Sequence, residues 1–171
     1  MRKILFIICL LCTSLLHAQQ EKQADVVRAT LYGVGFSNIL DTYLSPQEYT
    51  GIDFRISRES IRKSRWTNIT QQTFFQSNLS YTQNSAENNN TLSVLANWNY
   101  ALHYHFPITD NFKLLAGGLL DLNGGFVYNM RNGNNPAQAR LYANIGASGM
   151  ALWNVKIKNY PIALRYQINL P

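Results

Sequence analysis

A chain of 171 residues, 46% hydrophobic and only 14% charged, is long enough to bury one core and too apolar to remain disordered. Its ten Tyr, eight Phe, three Trp and nineteen Asn exclude a coiled coil or a long charged helix and favour strands and turns. The net charge of +6 is not a nucleic-acid footprint, because the densest basic stretch, Arg55 through Arg62, Lys63 and Arg65, is broken by Glu59 and matches no binding motif.

In chain order the first feature is an export signal. Arg2 and Lys3 form a positive n-region, Ile4 to Leu16 an apolar run of thirteen residues, and Leu16-His17-Ala18 a cleavage site before Gln19. The run is too short to span a bilayer as a helix. Cys9 and Cys12 both lie inside it, and Leu11 is too large to precede a lipidated cysteine. A signal peptide over 1–18 leaves one domain over 19–171 with no cysteine for disulfide or thiol chemistry and a net charge of +4.

Seven segments of the mature chain alternate with period two. Three are short: Tyr32/Val34/Phe36, Ile52/Phe54/Ile56 and Ile69/Phe75/Leu79/Tyr81. From Leu92 to Phe106 eight alternate residues in succession are apolar, a spacing that a helix would scatter around its axis. The pattern returns from Phe112 to Tyr128, from Leu141 to Val155 and from Ile162 to Leu170. Such strands are long for a soluble sheet. The connections near 62–66, 107–111 and 156–160 are about five residues each, whereas those near 38–50, 84–90 and 129–137 read as longer and rich in Asn, Ser or Gly. Short turns at one end and longer loops at the other match a transmembrane barrel with periplasmic turns and outward loops. The expected fold is an all-β, antiparallel, up-and-down transmembrane-type barrel.

The aromatic placement agrees. Tyr104, Phe106 and Phe112 flank the turn at Pro107, while Phe126, Tyr128 and Tyr81 lie at the other strand tips, as two interfacial girdles would. Trp98 and Trp153 fall within strands instead, as lipid-facing bulk. Asp53, Arg55, Glu59, Lys113, Asp121 and Arg165 fall on the opposite, lumen-lining face, either setting ion preference in a pore or neutralising one another in a plugged one. Lipid offers the backbone no hydrogen-bond partners, so a sheet must close on itself to survive there. A soluble barrel with its apolar face inward has the same alternation, and only strand length, girdles and the export signal favour the membrane.

The segment Tyr32-Gly33-Val34-Gly35-Phe36-Ser37-Asn38-Ile39-Leu40-Asp41-Thr42-Tyr43-Leu44-Ser45-Pro46-Gln47-Glu48-Tyr49-Thr50-Gly51 resembles the opening of an uncharacterised Bacteroidetes family of secreted, barrel-like proteins. A signal peptide ending in Ala-Gln-Gln is similar to those of that phylum. The resemblance implies an outer-membrane β-barrel of unknown function and carries no catalytic residues. Members of such families continue past a segment like Tyr166-Gln167-Ile168-Asn169-Leu170-Pro171, and bacterial barrels have an even strand number, so a chain truncated at its C-terminal end is expected.

Little in the chain carries chemistry. His103 and His105 share one face, but no third ligand accompanies them, so neither a metal nor any other cofactor is expected. Ser93 shares that face ten residues away, about 30 Å along a strand and far beyond hydrogen-bond reach of His103. A hydroxyl on a neighbouring strand, such as Ser148, remains open as a partner. Gly33-Val34-Gly35 lacks the rest of a dinucleotide fingerprint, and the interior glycines Gly33, Gly35, Gly117, Gly125 and Gly146 relieve crowding or allow bends. Asn88-Asn89-Asn90 and Asn132-Gly133-Asn134-Asn135 read as outward loops, solvated or touching a surface ligand.

The expectation is a non-enzymatic outer-membrane barrel with a structural, adhesive or small-solute permeation role. Its partners are outer-membrane lipids and, during biogenesis, the barrel-assembly machinery. The alternatives are a secreted or periplasmic soluble barrel binding an apolar ligand and, third, a lipid-modifying barrel enzyme.

Overall fold

Alternating apolar residues build the sheet and curvature gives it an inside. The structure, a computed structural model, describes residues 26–170. The signal-peptide expectation for residues 1–18 lies outside the described residues. Seven strands follow one another: β1 (Val26–Leu40), β2 (Glu48–Lys63), β3 (Ile69–Asn84), β4 (Asn90–Pro107), β5 (Phe112–Asn129), β6 (Ala137–Ile157) and β7 (Tyr160–Leu170). Each pairs antiparallel with the next in a single sheet of order β1-β2-β3-β4-β5-β6-β7. Strand number and order match the sequence pattern. The strands outrun their apolar cores, with β6 starting at Ala137 rather than Leu141, because backbone pairing to β5 continues through polar residues.

The turns correct the expected lengths. Connections at 41–47 and 130–136 are the longer ones, but the 85–89 loop has five residues, no more than the 64–68 turn on the opposite end. A tight β3–β4 return is possible because Glu87 adopts φ 55° and the Asn84 carboxamide accepts from the Asn88 and Asn89 amides. Asn68 (φ 60°) and Lys158 (φ 55°) give the same left-handed step in two turns of the other end.

The sheet curls strongly. Arg165 on β7 donates to Glu59 on β2 at 2.7 Å, and Gln167 and Gln72 exchange amide bonds at 2.8 and 2.9 Å. In a flat sheet β2 and β7 would stand five strand spacings apart, about 24 Å, beyond the reach of any two side chains. Three inward glycines mark where the walls crowd: a Cβ at Gly51, Gly117 or Gly125 would overlap the carbonyl of Tyr81, Leu102 or Val94. Gly33 and Gly35, also expected to relieve crowding, meet little or nothing there. β1 and β7 are the two edges of this half-barrel.

Curvature sorts the two faces. On the concave side lie Asp53 and Ser57 of β2, Thr70, Gln72, Ser80 and Thr82 of β3, Ser93 and His103 of β4, and Ser148 of β6, all buried. The convex side carries Phe36, Phe54, Leu79, Leu120, Phe126, Leu141, Ile145 and Tyr166, all exposed. Among the described residues thirteen buried side chains are polar or charged and seven are hydrophobic, an inversion of the usual soluble core. The apolar remnant of the interior is a patch on β4–β6, Ala101, Leu115, Leu119, Val127 and Met150.

Candidate functional site

The concave wall is where polar side chains converge, and its strand register sets what meets what. One cross-strand row runs Thr70, His103, Gly117, Ser148, Asn169 over β3 to β7. His103 is fully buried, and because Gly117 has no side chain its ring crosses β5 to place Nε2 2.8 Å from Ser148 Oγ. Ser148 donates to Asn169 Oδ1 at 2.7 Å and accepts from Gln167 Nε2 at 3.2 Å. Its single proton goes to Asn169, and His103 Nδ1 has no hydrogen-bond partner among the described residues. These contacts tie β4, β6 and β7 together across the trough. The second histidine, His105, hydrogen-bonds Thr70 Oγ1 on β3.

Midway along the trough Asp121 is held by amides alone. Asn97, Asn123 and Asn144 donate to its carboxylate at 2.5, 2.8 and 3.3 Å, and Asn97 also donates to Asn123 at 2.7 Å. Across the trough Asp53 is buried beside Arg55 at 3.4 Å and accepts from Asn78 at 3.1 Å. A cavity of about 290 Å³ is lined by Asn78, Asn97, Asn123, Arg140 and Tyr142. A second, of about 220 Å³, sits under the Glu59–Arg165 pair.

At the long-loop end the trough is stoppered. The buried Tyr49 hydroxyl accepts from Asn89 Nδ2 at 2.7 Å and Asn129 Nδ2 at 3.0 Å and donates to Ser45 at 3.2 Å. Asn84 Nδ2 reaches Gln47 at 2.7 Å, and Asn132 Nδ2 reaches the Leu44 carbonyl at 3.1 Å. Asp41 of the first loop pairs with Arg140 of β6 at 2.8 Å. The solvated reading of the Asn-rich loops therefore holds for only part of each loop. Asn88 and Asn134 are exposed, but Asn89 and Asn132 turn inward, because a carboxamide has both a donor and an acceptor with which to join loops.

All six expected lumen residues lie on the concave face. Asp53 with Arg55 and Glu59 with Arg165 form ion pairs; Asp121 relies on amides, and Lys113 makes no ion pair among the described residues. Arg140 and Asp41 were missed. The alternation of Arg140 with Leu141 signals its inward direction, but nothing local announces its partner 99 positions away. The expected girdle residues all lie on the convex face. Tyr81 and Tyr128 flank Leu92 in one row at the long-loop end. Tyr104 and Phe106 meet edge to face, centroids 5.0 Å apart, at the other end, with Phe112 on the next strand. Trp98 and Trp153 face the same way.

Residues 3–171 match the model of a family described as "Protein of unknown function (DUF3316)". No curated protein and no solved structure matches the chain.

Proposed function

The chain belongs to this family of unknown function, and from that premise we propose that it is a wall of an outer-membrane β-barrel, exported by its N-terminal segment, with a structural or adhesive role rather than an enzymatic one. One observation carries the reading: polar side chains are buried on the concave face, and large apolar ones are exposed on the convex face. A soluble half-barrel of this shape would expose Phe36, Leu141 and Ile145 almost fully to water, at a cost of about 1.5–3 kcal/mol per side chain relative to burial. Against hydrocarbon the same face is solvated by lipid tails, and the hydrogen-bonded interior satisfies its own polar groups.

The interior favours anchor over channel. Ion pairs and amide contacts cross the trough from β2 and β3 to β7, and the Tyr49 network closes the loop end. Small-solute permeation therefore ranks behind a plugged structural wall. A secreted barrel with a greasy cavity finds less support, since amide and charged side chains reach into both trough cavities. Orientation follows the turns, short ones toward the periplasm and the Asn-rich loops outward, where a surface ligand would meet them.

The test is extraction. A membrane-spanning protein stays with the outer-membrane fraction through alkaline carbonate and leaves it only in detergent. Release of folded protein into the soluble fraction sinks the proposal. Conductance in planar bilayers then separates plug from pore, and the plug predicts none.

A further inference from the structure

We propose that the convex surface of β1 and β2 next to the 64–68 turn docks on the phosphate headgroups of an anionic phospholipid layer, an inference that rests on the membrane reading above. Period-two alternation divides the densest basic stretch of the sequence. Arg55, Glu59 and Lys63 point into the trough, whereas Arg58 and Arg62 point out and are exposed. β1 supplies a third cation to the same face: Arg28 lies opposite Ser60 and so between Arg58 and Arg62. Diagonal neighbours of this kind are about 7–8 Å apart at their backbones, close enough for three guanidinium groups to share one anionic layer.

Among the described residues no carboxylate neutralises them. The ion pairs among the described residues use Arg55, Arg140 and Arg165, and Arg62 donates only to the neutral Gln71 at 2.7 Å. Opposite Arg62 and Ser60 on β3 stand Gln71 and Thr73, and Phe75, Leu79 and Tyr81 come further along the same face. Three like charges without a carboxylate repel one another unless an external anion lies over them, and a guanidinium fork matches a phosphate. The turn beside the patch adds Arg65, stacked 5.1 Å over the exposed ring of Trp66, a pair suited to the headgroup level. The apolar belt begins on the same two strands at Phe54 and Tyr32. A partner offering phosphates and hydrocarbon side by side is a lipid layer, not a nucleic acid or free anion. Arg62 lies one residue, and Arg58 five, from the Lys63 end of β2, within the span over which long side chains snorkel to the interface.

The refolded full chain is offered phosphatidylcholine vesicles with and without phosphatidylglycerol, and co-flotation is measured. The expected preference for the anionic vesicles is about fivefold per arginine, falling as salt rises. The variant Arg28→Gln/Arg58→Gln/Arg62→Gln loses it, each single change removes about one fivefold step, and the inward pair Arg55→Gln/Lys63→Gln retains it. The singles keep the test decisive if the triple variant misfolds. An anionic preference undiminished in all three single variants overturns the proposal, as does competition by soluble glycerol phosphate equal to that of vesicles. Carbonate extraction separates this inference from its premise. Protein that resists carbonate in both vesicle types without lipid preference overturns the docking surface alone. Arginine-dependent binding stripped by carbonate upholds the surface and overturns the spanning wall.

Discussion

Leu119 and Leu120 are chain neighbours on β5 with opposite fates: Leu119 is 5% exposed in the trough and Leu120 36% exposed on the outer surface. Asp121, one step further, is back inside and surrounded by three carboxamides. Two identical side chains on one backbone thus show that the direction of curl, not hydrophobicity, decides what is buried in this protein. The concave face holds itself together by hydrogen bonds, while the convex face leaves large apolar side chains exposed among the described residues.

The sharpest way to break this contrast is to exchange chemistry across it. Leu120→Arg, near the middle of β5 on the outer face, should cost about 2–4 kcal/mol in a bilayer, whereas Asp121→Asn, which keeps one of the two acceptor oxygens, should cost about 1 kcal/mol. Urea unfolding in vesicles reads both, and equal costs would remove the distinction between the faces. The glycines provide the next contrast. Gly117→Val drives a side chain into the Leu102 carbonyl and the path of the His103 ring, with an expected loss of about 1–3 kcal/mol. Gly118→Val on the outer face meets nothing within 4 Å and should be neutral or slightly stabilising. If position 118 proved the more sensitive in the same unfolding assay, the assignment of inside and outside would be reversed.

Smaller effects sharpen the picture of the interior. Tyr49→Phe deprives two amide donors of their common acceptor and should cost roughly 1–2 kcal/mol, with faster hydrogen exchange confined to the 41–47, 85–89 and 130–136 loops. Exchange spread evenly over all seven strands would contradict a local stopper. Smallest is the Glu59–Arg165 pair, whose arginine side chain is 35% exposed. A double-mutant cycle of Glu59→Gln and Arg165→Gln should give about 0–1 kcal/mol of coupling. A coupling near zero without proteolytic release of β7 in either single variant would mean that the Gln72–Gln167 exchange alone holds that strand across the trough.

Much of the fold was legible because its signal is local. Leu92 to Phe106 need only their own spacing to declare a strand with one apolar side, and β5, β6 and β7 repeat the declaration. The six charged residues read as sharing the other face do share it, since alternation carries them there whatever the curl. The loops were harder. Asn89 and Asn132 look solvated in sequence because a polar residue in a turn has the same local appearance whether it meets water or Tyr49 or the Leu44 carbonyl. The His103–Ser148 contact was only one open option, for its geometry depends on Gly117 lying between them in a three-strand register.

The sequence by itself determined the number of strands, their order of appearance and the division of each into a polar and an apolar side, because these follow from a period of two along a single extended backbone. Only the tertiary structure decided which side faces inward, which charges meet, and that the outer face is interrupted by Arg28, Arg58 and Arg62. Those are relations between strands set by the sense of curvature and by register. No pattern within one strand can encode them, because a soluble barrel and a membrane barrel alternate alike.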